Sequence, residues 1–403
     1  MMQRYVTSMH QILILLAVLA CFSIALPTAF MSIAMGLFVL VWLVSGNYSP
    51  KIKRISNNPA AVVAVVFFCL YGLGMFYSSA SWDMRLTWWL KYHKLLYIPL
   101  IVSVLTEEKY RKYAIQAFMA GMLLVLIISY LKWLGIVPHK DIGQGYFVFK
   151  GRIAHNILMA FAVYLMLKLA VQTAKPYCWL WATASVLGAL NIFLLVNGRS
   201  GQIILFVLAI WFCWEIWGTK SIKYLFGGAA MLLLILSVLP NAGNFRLMQI
   251  TQEIANHKPS EAQTSSGTRL EFYKNSLTLI QHNPLFGAGT GSFELEYKKL
   301  AETQQTLATY VPNPHNEFLL TWQELGLLGF FILIVLFISQ WKASYSILQH
   351  QKYSMVDGYA LRGLILTISV GSIFNSLLLD AGEGKFYCVM AGVLLSAYQP
   401  IKK

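Results

Sequence analysis

His315, in V-P-N-P-H-N-E-F-L-L-T-W-Q-E-L-G-L-L-G-F-F, has the setting a general base needs. Asn313 can cap a helix, Pro314 suits its first position, and Phe318, Leu319, Trp322 and Leu325 form an apolar stripe. This places His315 in the first helical turn, where the positive helix end disfavours imidazolium and keeps the ring basic below its free pKa of ~6.5. The bland alternative is a histidine that caps or bonds locally. Arg269 lies in S-G-T-R-L-E-F-Y, where Thr268 and Glu271 have capping-box spacing and Leu270, Tyr273, Leu277 and Ile280 recur helically. A cation in that first turn is mildly unfavourable unless an anion joins it; otherwise it is a solvated surface charge. Arg199 sits in the turn L-L-V-N-G-R-S-G-Q-I-I-L-F, where Gly198 permits a reversal and Ser200 can cap the next helix. A guanidinium fork beside helix N–H groups suits phosphate oxygens, although an arginine here can also snorkel to lipid head groups.

Weaker candidates share that side of the chain. Arg152 opens another helix in F-K-G-R-I-A-H-N, beside Lys150 and His155. Asp380, in L-L-L-D-A-G-E-G-K-F, ends an apolar run where an anion wants a partner such as Lys385, Arg269 or His315. Lys91, His93 and Lys94 in W-W-L-K-Y-H-K-L-L-Y read as an interfacial anchor. The four aspartates, Asp83, Asp141, Asp357 and Asp380, form no D-x-D, and H-E-x-x-H is absent, so a metal ion is not expected. G-A-G-T-G at 287–291 lacks the Lys-Ser/Thr and the strand of a phosphate loop and reads as a flexible turn.

The elements that must position these residues are apolar. Of 403 residues 58% are hydrophobic and 12% charged, against about 25% charged in soluble domains, so the chain reads as all-α and polytopic in a membrane. About twelve runs are long enough to span: 9–26, 28–46, 59–78, 87–105, 114–136, 154–174, 177–196, 200–218, 224–240, 325–341, 359–379 and 387–399. The first resembles a signal peptide, but Pro27 and renewed hydrophobicity favour a retained anchor. The net charge of +15 is explained by cations in loops on the inner side, among them Lys51, Lys53, Arg54, Lys109, Arg111, Lys112, Lys168, Lys175 and Arg362, rather than by nucleic acid. Both termini are then expected inside. This divides the chain into spans over 1–240, a long external loop with amphipathic helices over 241–324, and spans over 325–403. The five cysteines, at 21, 69, 178, 213 and 388, lie in apolar runs without metal spacing.

N-G-R-S-G, S-G-T-R-L-E-F-Y and P-H-N-E-F-L-L-T-W-Q-E-L-G-L-L-G, in this order with a long external loop, resemble the O-antigen ligase family from about Val196 onward. The resemblance implies a bacterial inner-membrane glycosyltransferase acting on the periplasmic face without metal, cofactor or nucleotide sugar. It implies transfer of a preassembled glycan from undecaprenyl pyrophosphate to a hydroxyl of lipid A core oligosaccharide. His315 resembles the essential histidine, Arg199 and Arg269 the essential arginines, and Asp380 a less securely placed acidic residue, while Arg152 has no counterpart carried over. A polymerase, a protein O-oligosaccharyltransferase and a transporter are the competing classes. Few ionisable residues lie at span centres, which counts against the transporter.

Overall fold

The computed structural model describes residues 2–139, 145–196, 198–221, 265–304, 311–350 and 356–399. These residues form helices and no strand; one isolated bridge joins Gly145 and Val196. In chain order the helices are α1 (Met2–Ser23), α2 (Thr28–Val44), α3 (Tyr48–Ser56), α4 (Pro59–Gly74), α5 (Trp82–Lys91), α6 (Tyr97–Val102), α7 (Glu108–Trp133), α8 (Arg152–Gln172), α9 (Tyr177–Leu190), α10 (Arg199–Trp217), α11 (Ser265–His282), α12 (Phe293–Gln304), α13 (Glu317–His350), α14 (Val356–Phe374) and α15 (Ala381–Leu395).

Among the described residues six helices are long and apolar enough to cross a bilayer, and a seventh if the α2–α3 pair, bent by 118°, is one span. The difference from twelve has local causes. The run 87–105 is three pieces, because a 3-10 turn at His93–Leu96 separates α5 from α6 and turns Tyr92 and Lys94 inward. The runs near 9–26 and 59–78 give the shorter apolar helices Ser8–Ser23 and Pro59–Gly74, α15 has 15 residues, and the run 224–240 lies outside the described residues. Of the expected loop, 241–264 and 305–310 also lie outside them.

The core is built around α8, which is buried along most of its length and packs on α9, α10, α14 and α15. Its Phe161 meets Phe118 of α7 and Phe386 of α15 at centroid distances of 5.7 and 5.5 Å, so three helices share one aromatic contact. Some cations expected in inner loops are instead buried in the bundle. Arg111 pairs with Asp357 at 2.9 Å, and Lys168 and Arg362 both face Glu215. An unpaired charge in such a core is costly, so these residues are better explained by helix pairing than by loop placement.

Candidate functional site

His315 lies just before a helix, not in its first turn. Asn316, rather than Asn313, caps α13: its side chain accepts from the N–H groups of Phe318 and Leu319 at 3.0 and 3.1 Å. Asn313 instead folds the preceding loop, its Oδ1 accepting from the His315 N–H at 2.9 Å and from the Ser376 hydroxyl at 3.0 Å. His315 has φ 53°, a left-handed conformation costing on the order of 1 kcal/mol or more, which the loop bonds maintain. Its ring stacks on Phe272 at 6.0 Å, and among the described residues no hydrogen bond occupies either ring nitrogen. The imidazole pKa is held below 6.5 by burial first and the positive charge of Arg269 second.

Phe272 and Arg269 belong to α11, which starts at Ser265, so Thr268 is inside the helix and the expected capping box does not form. Glu271 is buried near Tyr297 instead of reaching back to a cap. Arg269 thus stands one turn beyond the position expected from the sequence, on the partly buried side that carries Phe272 and Tyr273. Burial lowers its pKa, Tyr273 opposes this, and Arg199 and Arg152 lower it further, so three guanidiniums share one electrostatic neighbourhood. Arginine nevertheless remains charged. Like charges so placed repel, and an anion among them would remove that cost.

Arg199 and Arg152 are the first residues of α10 and α8. The two helix starts approach closely because two glycines of N-G-R-S-G lie against Asn156. A Cβ on Gly201 would stand 2.4 Å from the Asn156 Cβ, and one on Gly198 would stand 2.4 Å from its Nδ2. Gly198, not Ser200, occupies the cap position; the Ser200 hydroxyl accepts from Asn375 at 3.1 Å. Asn375 precedes Ser376, the partner of Asn313, so the Arg199 helix and the His315 loop meet at one turn. The Tyr273 hydroxyl ties α11 to the same place, donating to the Ile373 carbonyl at 2.7 Å and reaching the His315 carbonyl at 3.4 Å.

Asp380 lies in the turn between α14 and α15. It occupies the cap position of α15, where an anion is favourable, rather than an unfavourable helix end. Burial raises its pKa, against the pull of Lys94 and Lys91; neither His315 nor Arg269 is among its electrostatic neighbours. Lys385, its expected local partner, donates to Ser32 at 2.6 Å. Lys94 is no lipid anchor, being 2% exposed, and its ammonium donates to the Leu379 and Asp380 carbonyls.

The G-A-G-T-G turn is packed rather than flexible. Gly326 has φ 65°, breaking α13, and the freed carbonyls of Gln323 and Glu324 accept from the N–H groups of Ala288 and Gly289 at 2.8 Å each. Thr290 N–H bonds the Gly74 carbonyl at 3.1 Å and Gly291 N–H the Glu324 carboxyl at 3.0 Å, so these donors are used inside the protein and are not offered to phosphate. Among the described residues, no three His, Cys, Asp or Glu side chains gather as a metal site would require.

Arg152, a weaker candidate in the sequence, joins Arg199 and Arg269 in this neighbourhood; its place at a helix start beside a second basic helix start was the available signal. A family model described as O-antigen ligase matches residues 184–334, a segment containing Arg199, Arg269 and His315 but neither Arg152 nor Asp380. A protein of Haemophilus influenzae (strain ATCC 51907 / DSM 11121 / KW20 / Rd) described as "Uncharacterized protein" is 24% identical over 255 residues, which cover 61% of this chain and 63% of that protein's length.

Proposed function

We propose that this chain, a member of the O-antigen ligase family through residues 184–334, transfers a preassembled glycan from undecaprenyl pyrophosphate to a hydroxyl of lipid A core oligosaccharide at the periplasmic face of the bacterial inner membrane. The observation that carries the reading is the convergence of three segments on one turn: Asn375 bonds Ser200 beside Arg199, Ser376 bonds Asn313 of the His315 loop, and Ile373 receives Tyr273 from the Arg269 helix. A basic imidazole beside a cluster of guanidiniums suits a hydroxyl nucleophile and a pyrophosphate leaving group.

His315 takes the proton of the acceptor hydroxyl as its oxygen attacks the anomeric carbon. The bond from that carbon to the pyrophosphate oxygen breaks, and the electron pair leaves with the lipid pyrophosphate. Arg199 and Arg269, with Arg152 beside them, hold the pyrophosphate and stabilise its growing charge, so no acid catalyst is needed. One displacement inverts the anomeric configuration. Asp380, at the start of α15 beside the turn that Glu317 holds, is the further candidate for substrate contact.

The test is purified protein with lipid-linked glycan, offered lipid A core, a second lipid-linked glycan and an acceptor protein in parallel. Sugar is expected on lipid A core. Transfer only to the second lipid-linked glycan would make the protein a polymerase, and transfer only to protein an O-oligosaccharyltransferase. A chelator is expected to leave the rate unchanged. A product retaining the donor's anomeric configuration would rule out single displacement.

A further inference from the structure

We propose that Glu317 and Lys94 are positioning residues, which grip the turn between α14 and α15 from opposite sides and thereby hold His315 in register with the Arg199 helix start. The inference rests on the function proposed above and adds two residues that do not touch the reacting groups. Glu317, the first residue of α13, is wholly buried. Its Oε2 accepts from the N–H groups of Leu378 and Leu379 at 2.9 and 3.3 Å, and its Oε1 from the Tyr92 hydroxyl at 3.1 Å. All three partners are donors, the arrangement a carboxylate needs.

Lys94 takes the same turn by its carbonyls, donating to Leu379 at 2.9 Å and Asp380 at 2.6 Å. Space for it is made by Gly384, where a Cβ would stand 2.7 Å from the ammonium. One short stretch of backbone is therefore held through its N–H groups by α13 and through its carbonyls by the α5–α6 connection. The preceding residues carry the bonds that matter for the site. Asn375 reaches Ser200 beside Arg199, Ser376 reaches Asn313 and through it the His315 N–H, and Ile373 receives Tyr273 from the Arg269 helix. Slackening the turn releases the three parts of the site together.

A merely structural pair would lower the amount of folded protein and leave each folded molecule active. The experiment compares Glu317→Gln, Lys94→Met and the double variant with wild type and His315→Ala, as full-length protein in detergent. It reads kcat, the donor KM, the pH dependence of kcat/KM and the melting temperature. Glu317→Gln puts an amide NH2 where N–H donors already point, and misplacement of about an ångström costs roughly 10²-fold in kcat, with the donor KM raised as well because the Arg199 and Arg269 helices share the turn. Because both residues act on one turn, the double variant is expected to lose no more than the worse single variant. The acid limb of the pH profile is expected to move up toward ~6.5, as the ring leaves the cover of Phe272 and the field of Arg269, with Tyr273 the other titratable group facing it.

Wild-type kcat per folded molecule in Glu317→Gln and Lys94→Met, with a lowered melting temperature and an unmoved acid limb, overturns the inference. That result beside an inactive His315→Ala leaves the proposed function standing; an active His315→Ala removes both. Should Glu317→Gln fail to fold, Asn375→Ala cuts the turn from Ser200 at a single side chain, and the same kcat loss and pH shift are required of it.

Discussion

At the scale of residues, the helix start after His315 was legible and the local setting of His315 was not. The motif around it marks a helix start, but whether Asn313 or Asn316 caps that helix depends on a serine in a distant segment, Ser376, which engages Asn313. The neutral ring expected from a helix end is produced instead by burial and by Arg269. The sign for activity follows. A base is competent when deprotonated, so kcat/KM should be level above about pH 6.5 and fall as pH drops through the lowered pKa of His315. A pH–rate profile checks this, and an acid limb centred at or above 6.5 would mean that the basic surroundings do not act on the ring. Arg269→Lys keeps the charge but loses the planar fork, so transfer should fall by about 10²-fold or more in a rate assay, while full activity would remove the phosphate clamp. The surroundings of Asp380 were misread because Lys94, 286 residues away, reaches its carbonyl, whereas Lys385, its neighbour in sequence, turns to Ser32.

At the scale of elements, glycines decide how closely helix starts approach. N-G-R-S-G reads as a turn, and its additional role, seating α10 on Asn156, depends on a residue outside the motif. Gly201→Val would force α10 away from α8 and carry Arg199 with it. The expected cost is about 1–3 kcal/mol of stability together with loss of transfer, checked by thermal unfolding and by rate. Unchanged stability would show that the approach of α10 to α8 is looser than described. The break at Gly326 lies where the stripe of Phe318, Leu319, Trp322 and Leu325 gives way to the continuous apolar run 325–341. That the break is filled by the N–H groups of Ala288 and Gly289 was not legible, because a glycine-rich turn has the same composition whether it faces a ligand or a broken helix. The start of α11 was misjudged for a related reason: T-x-x-E spacing is compatible with a cap and equally with a helix interior, and Glu271 faces inward.

At the scale of the whole molecule, hydrophobicity announces a membrane protein without saying where its helices break. An apolar run such as 87–105 has the same composition whether straight or broken, and the inward turn of Tyr92 and Lys94 is set by partners in α13 and beyond. Charge counting was similarly blind to burial: Arg111, Lys168 and Arg362 contribute to the sum but not to the inner surface. The expected sidedness remains testable with single cysteines in a cysteine-free background. Lys53→Cys and Leu285→Cys, both at exposed positions, should react with an impermeant thiol reagent from opposite sides of the membrane, and labelling from the same side would contradict the topology. The convergence of helix ends on one basic imidazole is tested most directly by donor binding and single-turnover transfer in His315→Ala. Donor affinity is expected within about threefold of wild type, because the guanidiniums remain, and transfer reduced by at least about 10²-fold. Near-normal transfer by His315→Ala would contradict that convergence.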